Sequence, residues 1–320
     1  MWRGRLKALK MLVKTMTELI RCSEAEYFAI PDRFHVSSAG NLLISPAYYN
    51  AHKDDKGESA ARKLGSITHA NMGDPVARAK YACKPQVDLT GCVDSKGKVS
   101  DAPWATSEGK KRIADAAAAF EAAHPGAILC TDDELYRADA MAASLTKAEA
   151  KFGNALHREV CILWDDADGT PCILRADAIF IVNGKVVIVD YKTTGKPLTD
   201  RNLQTAFFQW GYQRQAAQYD EGVRAAQAAG LLPPGEVEFQ IGWVSSLAPF
   251  EAHFQTVPVE VIEAGEDDVK EARRRWMHGR ETGEWATASE MGALAATVQL
   301  PHWMLNFDEG DMPEVEGIDG

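Results

Sequence analysis

Arg175-Ala176-Asp177-Ala178-Ile179-Phe180-Ile181-Val182-Asn183-Gly184-Lys185-Val186-Val187-Ile188-Val189-Asp190-Tyr191-Lys192 reads as two strands joined by a two-residue turn. Asn-Gly between alternating apolar runs is the strongest short hairpin signal, because both turn positions need positive φ. The turn fixes the register. Val182 lies beside Lys185, and counting back from there sets Asp177 opposite Asp190. Residues two apart in a strand share a face, so Asp190 and Lys192 project together while Tyr191 turns to the other side. Val186 to Val189 are apolar, which makes this a buried strand ending in two charged groups. Such groups are costly unless paired, hydrated or bound to a metal.

Outward from the hairpin, Val160 to Trp164 forms a further strand and Asp165 to Gly169 a turn, giving an antiparallel meander of three strands. A helical region from Asp200 to Ala229 is interrupted near Gly211 and stopped by Pro233-Pro234-Gly235. Strands return at Val237 to Ser245 and His253 to Val259, followed by a helix from Asp267 to His278. Upstream, Ile113 to Ala123 and Asp132 to Lys151 read as helices. The order implies an α+β fold, a mixed central sheet flanked by helices. No internal repeat is present.

Leu6, Leu9, Val13, Met16 and Ile20 recur at helical spacing among basic residues, so the sequence predicts a basic amphipathic helix and lead-in over residues 1–36. Two polar, glycine-containing stretches, Asp54 to Gly65 and Thr90 to Gly109, read as loops. The second and its flank carry Lys96, Lys98, Trp104, Lys110, Lys111 and Arg112, which suit a DNA-contacting loop with an aromatic for stacking as well as they suit a solvated one. From Asp308 to Asp319 the chain has six acids and no base, and residues 304–320 are expected to be a disordered acidic tail. One domain is expected over 37–303, with its core at about 145–262.

The net charge of −11 does not by itself exclude DNA. Arg3 to Arg21 holds six bases against one acid, and a metal-dependent site needs a nest of acids. No apolar run approaches the ~20 residues of a membrane span, and no secretory signal is seen. Cys22, Cys83, Cys92, Cys130, Cys161 and Cys172 form no CxxC pair. They read as free thiols of a cytoplasmic protein, without a zinc or iron–sulfur centre.

Two carboxylates facing each other repel unless a cation bridges them. Hard oxygen donors with a lysine alongside suit magnesium or manganese, with two ions expected in the site. Such a site can hydrolyse phosphodiesters, with Lys192 holding the phosphate or the attacking water. An isolated Asp-x-Lys would be a salt bridge at a strand end; the hairpin-aligned Asp177 argues for chemistry. Thr194-Gly195-Lys196 mimics the end of a P-loop, but Pro197 stands where Ser or Thr is needed.

Asp177, a hairpin and then Asp190-Tyr191-Lys192 resemble the core of the PD-(D/E)xK superfamily of nucleases in its RecB-like branch. Gln215-Ala216-Ala217-Gln218-Tyr219 is similar to the QxxxY motif of that branch, on a helical face that Tyr212 extends. Gly65-Ser66-Ile67-Thr68-His69 resembles the segment that supplies a histidine near the metals. Glu159 resembles a glutamate between helix and first strand. Ser45-Pro46-Ala47-Tyr48-Tyr49, Arg175-Ala176-Asp177, Gly283-Glu284-Trp285 and Leu300-Pro301-His302-Trp303 look like landmarks of the RecE-like phage exonucleases. Asn71-Met72-Gly73-Asp74 departs from the expected apolar helix after His69.

The resemblance implies a restriction-endonuclease-like core. Asp177, Asp190, Lys192 and Glu159 would be catalytic. His69, Asp177, Asp190 and the Tyr191 main-chain carbonyl would hold metal. Gln215, Tyr219, Tyr212 and Ser45, with Lys96 and Lys98, would contact DNA. It also implies resection of linear duplex from the 5′ end, a single-strand annealing partner and a trimeric or tetrameric ring. A structure-specific or restriction-like endonuclease shares the same core. An inactive DNA-binding scaffold is the non-enzymatic alternative.

Overall fold

The Asn183-Gly184 turn forms where the sequence places it, with φ of 51° and 81°. In this computed structural model, which describes residues 17–55, 59–72 and 75–294, it joins β6 (Pro171–Val182) to β7 (Lys185–Thr194). The register runs from Val182↔Lys185 to Ala178↔Val189. β5 (His157–Asp165) pairs antiparallel with β6 and completes the meander. β8 (Val237–Ser245) runs parallel to β7, and β9 (Ala252–Val257) returns antiparallel. With β1 (Glu18–Arg21) on β5 and β2 (Phe34–His35) beside β6, the main sheet is mixed and has the order β1-β5-β6-β7-β8-β9. A separate two-stranded sheet pairs β3 (Tyr81–Cys83) with β4 (Ile128–Cys130).

Ten α-helices are described. The first five are α1 (Glu24–Ala29), α2 (Ala39–Ile44), α3 (Pro46–His52), α4 (Ala60–Asn71) and α5 (Pro75–Arg78). The others are α6 (Ser107–Ala123), α7 (Asp132–Glu149), α8 (Asp200–Gln209), α9 (Tyr212–Ala228) and α10 (Val259–Thr282). The parallel step from β7 to β8 needs a crossover, and α8 and α9 supply it. Between them Gly211 has φ 70°, a left-handed conformation that ends one helix and starts the next. Two apolar layers sandwich the sheet. On one side Ala216, Val223, Val269 and Trp276 pack on Ile188 and Val186. On the other, Leu64, Ile67, Met141 and Leu145 pack with Val187, Val189 and Tyr191.

Several expectations are corrected. Glu18 to Ile20 belong to a strand, not to the end of an amphipathic helix, because pairing with β5 (Ile20↔Cys161) outweighs local periodicity. Leu6 to Met16, Leu300 to Trp303 and the acidic stretch from Asp308 lie outside the described residues. Ala60 to Gly65 are helical, started by Ser59, whose hydroxyl accepts from the Arg62 N–H. Lys110, Lys111 and Arg112 lie on α6, not in a loop. Cys22 and Cys161 are joined in a disulfide rather than free, since β1 delivers Cys22 to β5.

Candidate active site

The β6–β7 hairpin places the two carboxylates at one end of the sheet. Asp177 and Asp190 are only 6% and 4% exposed and form the floor of a cleft of about 660 Å³. Asp177 Oδ2 accepts from the Tyr191 N–H at 2.7 Å. Its Oδ1 lies 3.6 Å from His69 Nδ1. Asp190 Oδ2 pairs with the Lys192 ammonium at 2.5 Å, while Oδ1 accepts from Gln215 Nε2 at 2.6 Å. Lys192 Nζ also stands 4.7 Å over the Tyr212 ring.

Four elements therefore converge. α4 brings His69, whose Nε2 lies 3.1 Å from the Tyr191 carbonyl. This helix continues through Asn71 despite the departure from the expected apolar pattern. β6 brings Asp177, β7 brings Asp190 and Lys192, and α9 brings Gln215 and Tyr212. On β5, Glu159 adopts φ 52°, unusual for a residue other than glycine, and its carboxylate pairs with Arg175 on the cleft wall.

The charges are strongly interdependent. Burial works against the charged His69 ring, but Asp177, with Glu159 and Asp190 behind it, outweighs burial and lifts it to about 9. Burial would raise the Asp177 carboxyl, yet His69 and Lys192 hold it below its ordinary value. Asp190 is pushed up, by burial and by Asp177, against the opposing pull of Lys192. Burial disfavours the Lys192 ammonium, and Asp190 more than compensates, so lysine stays charged.

The donor set matches a hard cation in kind: two carboxylates, a main-chain carbonyl and an imidazole. Asp190 Oδ2 is buried against the Lys192 ammonium, and a carboxylate oxygen with one such partner keeps a further lone pair for a cation. Among the described residues, however, no three His, Cys, Asp or Glu side chains already stand as a finished metal cage. The carboxylates are turned instead toward His69, Lys192 and Gln215.

The remaining sequence-predicted residues divide. Tyr219 is nearly buried at the edge of the cleft, and its hydroxyl donates to the Arg175 carbonyl at 2.8 Å. Ser45 does not line the cleft: it is buried, and its hydroxyl caps α3 by accepting from the Tyr48 N–H at 3.0 Å. Lys96 and Lys98 lie in a turn whose main-chain N–H groups donate to Asp94, and they do not line the cleft. The sequence reading did not single out Arg62, Lys80, Arg214 or the largely exposed Trp210, all of which line the cleft. Gly211 was the available signal for the last two, since a break between helices exposes the residues around it.

A family model described as a PDDEXK-like domain of unknown function (DUF3799) matches residues 36–296. Among solved structures, a "Putative exonuclease" from Eubacterium rectale is 14% identical with a TM-score of 0.51. The match covers 90% of this chain and 98% of that one. At that identity the likeness concerns the fold. Protein VC1899 from Vibrio cholerae is 13% identical over 83% of this chain and 58% of its own, with a TM-score of 0.22. No curated protein matches the chain. No helix among the described residues is long and apolar enough to cross a membrane.

Proposed function

Because the chain belongs to the family of PDDEXK-like domains of unknown function (DUF3799), we propose that its cleft hydrolyses phosphodiester bonds of DNA, acting from the ends of linear duplex. The observation that carries this reading is that the two strands of one hairpin deliver the buried Asp177 and Asp190 to one cleft, with Lys192 at the same strand end. A stability-driven core would not gather two carboxylates, a histidine and a lysine there.

Asp177, Asp190 and the Tyr191 carbonyl, with His69 beside them, would hold magnesium or manganese, most simply as two ions. A bound ion supplies a more acidic water and neutralises charge developing on the phosphate. Gln215 holds Asp190 by one oxygen and leaves the other turned toward Lys192. Lys192 is charged, reaches the cleft and can hold a non-bridging phosphate oxygen or the attacking water. Arg175 and Arg214, paired with Glu159 and Asp268, line the walls and add positive charge where the DNA backbone would pass. Trp210 offers a stacking face to a base.

By likeness to the RecE-like motifs, resection would start at the 5′ end and leave a 3′ strand for an annealing partner. A closed ring of three or four subunits would keep a net-acidic chain on its substrate by enclosure rather than by tight contact; sedimentation at working concentration tests it. The decisive experiment is digestion of end-labelled linear duplex and of a closed circle, with and without magnesium. Loss of label from linear DNA alone, only with magnesium, supports the reading. Cutting of the circle would identify an endonuclease instead, and no cutting of either would defeat the proposal.

A further inference from the structure

Behind the catalytic strand, on the face away from Asp190 and Lys192, lies a second buried polar cluster. The Tyr191 hydroxyl donates to Glu149 at the last position of α7. Arg158, on β5 next to Glu159, donates to the same carboxylate and reaches the Tyr191 oxygen at 3.1 Å. Glu149 and Tyr191 are 4% and 2% exposed. Burial and the Glu149 charge push the Tyr191 phenol well above its ordinary value, so it stays a donor. Gly242 is the partner of Tyr191 on β8, and a Cβ there would lie 2.9 Å from the Tyr191 ring and 2.8 Å from Phe254. The sheet thus leaves room for this ring at a position where any side chain would displace it.

An ion pair with a buried carboxylate, such as Glu149 with the partly exposed Arg158, is a poor way to stabilise a fold, since well-packed apolar groups usually do as well or better. Its advantage is directional. This one links α7, β5 and the single residue between the two catalytic positions of β7. The main chain of Tyr191 is the part that faces the site: its N–H donates to Asp177 at 2.7 Å and its carbonyl lies 3.1 Å from His69. A side chain fixed on one face of a strand fixes the peptide groups on either side of it.

We propose that Glu149, Arg158 and the Tyr191 hydroxyl are positioning residues, which hold the Tyr191 main chain so that Asp177 and His69 are presented to the metal-binding cleft. This rests on the nuclease reading for its consequence in catalysis, but not for the structural coupling itself. Glu149 and Arg158 do not line the cleft. The cluster acts through Tyr191 alone, and a misplacement of about 1 Å at a reacting centre is enough to lower a rate by roughly 10²-fold.

The test uses the full chain with Tyr191→Phe, which keeps the ring and removes the hydroxyl, and Glu149→Gln, which keeps the shape and removes the charge. Glu149→Leu with Arg158→Met serves as a second variant in which no buried charge is left unpaired, should Glu149→Gln fold poorly. Amide hydrogen exchange at residue 191 is followed in metal-free protein, with Val187 and Val189 as references on the same strand. Magnesium binding is followed by calorimetry, and kcat and KM with linear duplex. Exchange at residue 191 should speed up about tenfold or more relative to the references. Magnesium affinity should weaken roughly 5- to 10-fold, and kcat should fall about 10- to 100-fold with KM nearly unchanged. Unchanged relative exchange at 191, whatever happens to the melting temperature, would overturn the positioning role. If wild type fails to cleave DNA while exchange at 191 responds as described, the coupling stands and the nuclease reading falls.

Discussion

Replacing Lys192 by methionine removes a charge that two others depend on. The ammonium lies 2.5 Å from Asp190 Oδ2, and Asp190 is 4% exposed. In the variant its carboxylate keeps only the Gln215 amide as a partner among those described. Breaking one side of a buried pair commonly costs about 3–5 kcal/mol. The penalty has a ceiling, because the stranded carboxyl can take up a proton. From an ordinary value near 3.9, that costs about 4 kcal/mol at pH 7, at about 1.36 kcal/mol per unit. For 320 residues, an unfolding entropy of about 0.7 kcal/mol per degree converts this to a fall of roughly 6 °C in Tm.

The sign with pH follows from Asp190. Its carboxyl is already raised with lysine present, and losing the lysine raises it further. A folded-state acid with a raised pKa is penalised above its unfolded value. The gap between variant and wild type should therefore be full near pH 8 and shrink as pH falls toward about 4. Magnesium should narrow the gap at neutral pH by supplying the missing positive charge. Cleavage should not recover: a loss of roughly 10³-fold, about 4 kcal/mol of barrier, should persist with saturating magnesium. Melting curves at several pH values with and without magnesium, alongside digestion of labelled duplex, give the answer. A variant that cleaves within tenfold of wild type, or a Tm gap unchanged between pH 5 and 8, would refute the reasoning.

Asp190→Asn should lower cleavage by roughly 10³-fold while filter binding of DNA stays within a few-fold, because phosphate contacts elsewhere carry the affinity. Trp210→Ala should raise KM for DNA about tenfold or more with little change in kcat, as expected for loss of one stacked base; equal KM values would remove Trp210 from the DNA path. Ser45→Ala should lower stability by about 1 kcal/mol, the value of a helix cap, and leave cleavage rates as they are; a large kinetic effect would restore Ser45 to the DNA surface. His69, lifted to about 9 without metal, must lose its proton to bind an ion. Magnesium affinity should therefore rise with pH up to about that value, and calorimetry in buffers of different ionisation enthalpy should detect released protons; buffer-independent heats would count against His69 as a ligand.

The part of the fold legible in the sequence is the part that local physics decides. Asn183-Gly184 fixes a turn, the turn fixes a register that pairs the strands as far as Ala178↔Val189, and the next residues along each strand are Asp177 and Asp190. The α8–α9 break was readable for the same reason, since Gly211 takes a positive φ in a helical run. The misreadings lie where tertiary pairing or weak composition decided. Glu18 to Ile20 have helical spacing but an open strand edge awaits them on β5. The same pairing brings Cys22 to Cys161 across 139 residues of sequence, a separation that spacing rules do not reach. Ala60 to Gly65 look polar and loop-like, yet Ser59 supplies the cap that starts α4. Ser45-Pro46 carries an equally plain helix start, with proline at the first helical position. Local capping chemistry was the better reading of both.

Within the site, the face of a helix was legible and its partner was not. Gln215 and Tyr219 share one side of α9 by spacing, but only the packing of α9 on the sheet shows that they serve different ends. Gln215 reaches Asp190, whereas Tyr219 secures the strand through Arg175. Gln215 therefore holds the Asp190 carboxylate from the cleft wall. The same logic places Tyr191 in a category that sequence patterns obscure. It looks like the variable residue of a D-x-K motif, because its side chain faces away from the chemistry. In a strand, that is the position whose side chain can be anchored to the core without blocking the site, while its peptide groups remain in it. A motif written only in catalytic side chains has no symbol for such a residue, yet Gly242 and Glu149 are both arranged around it.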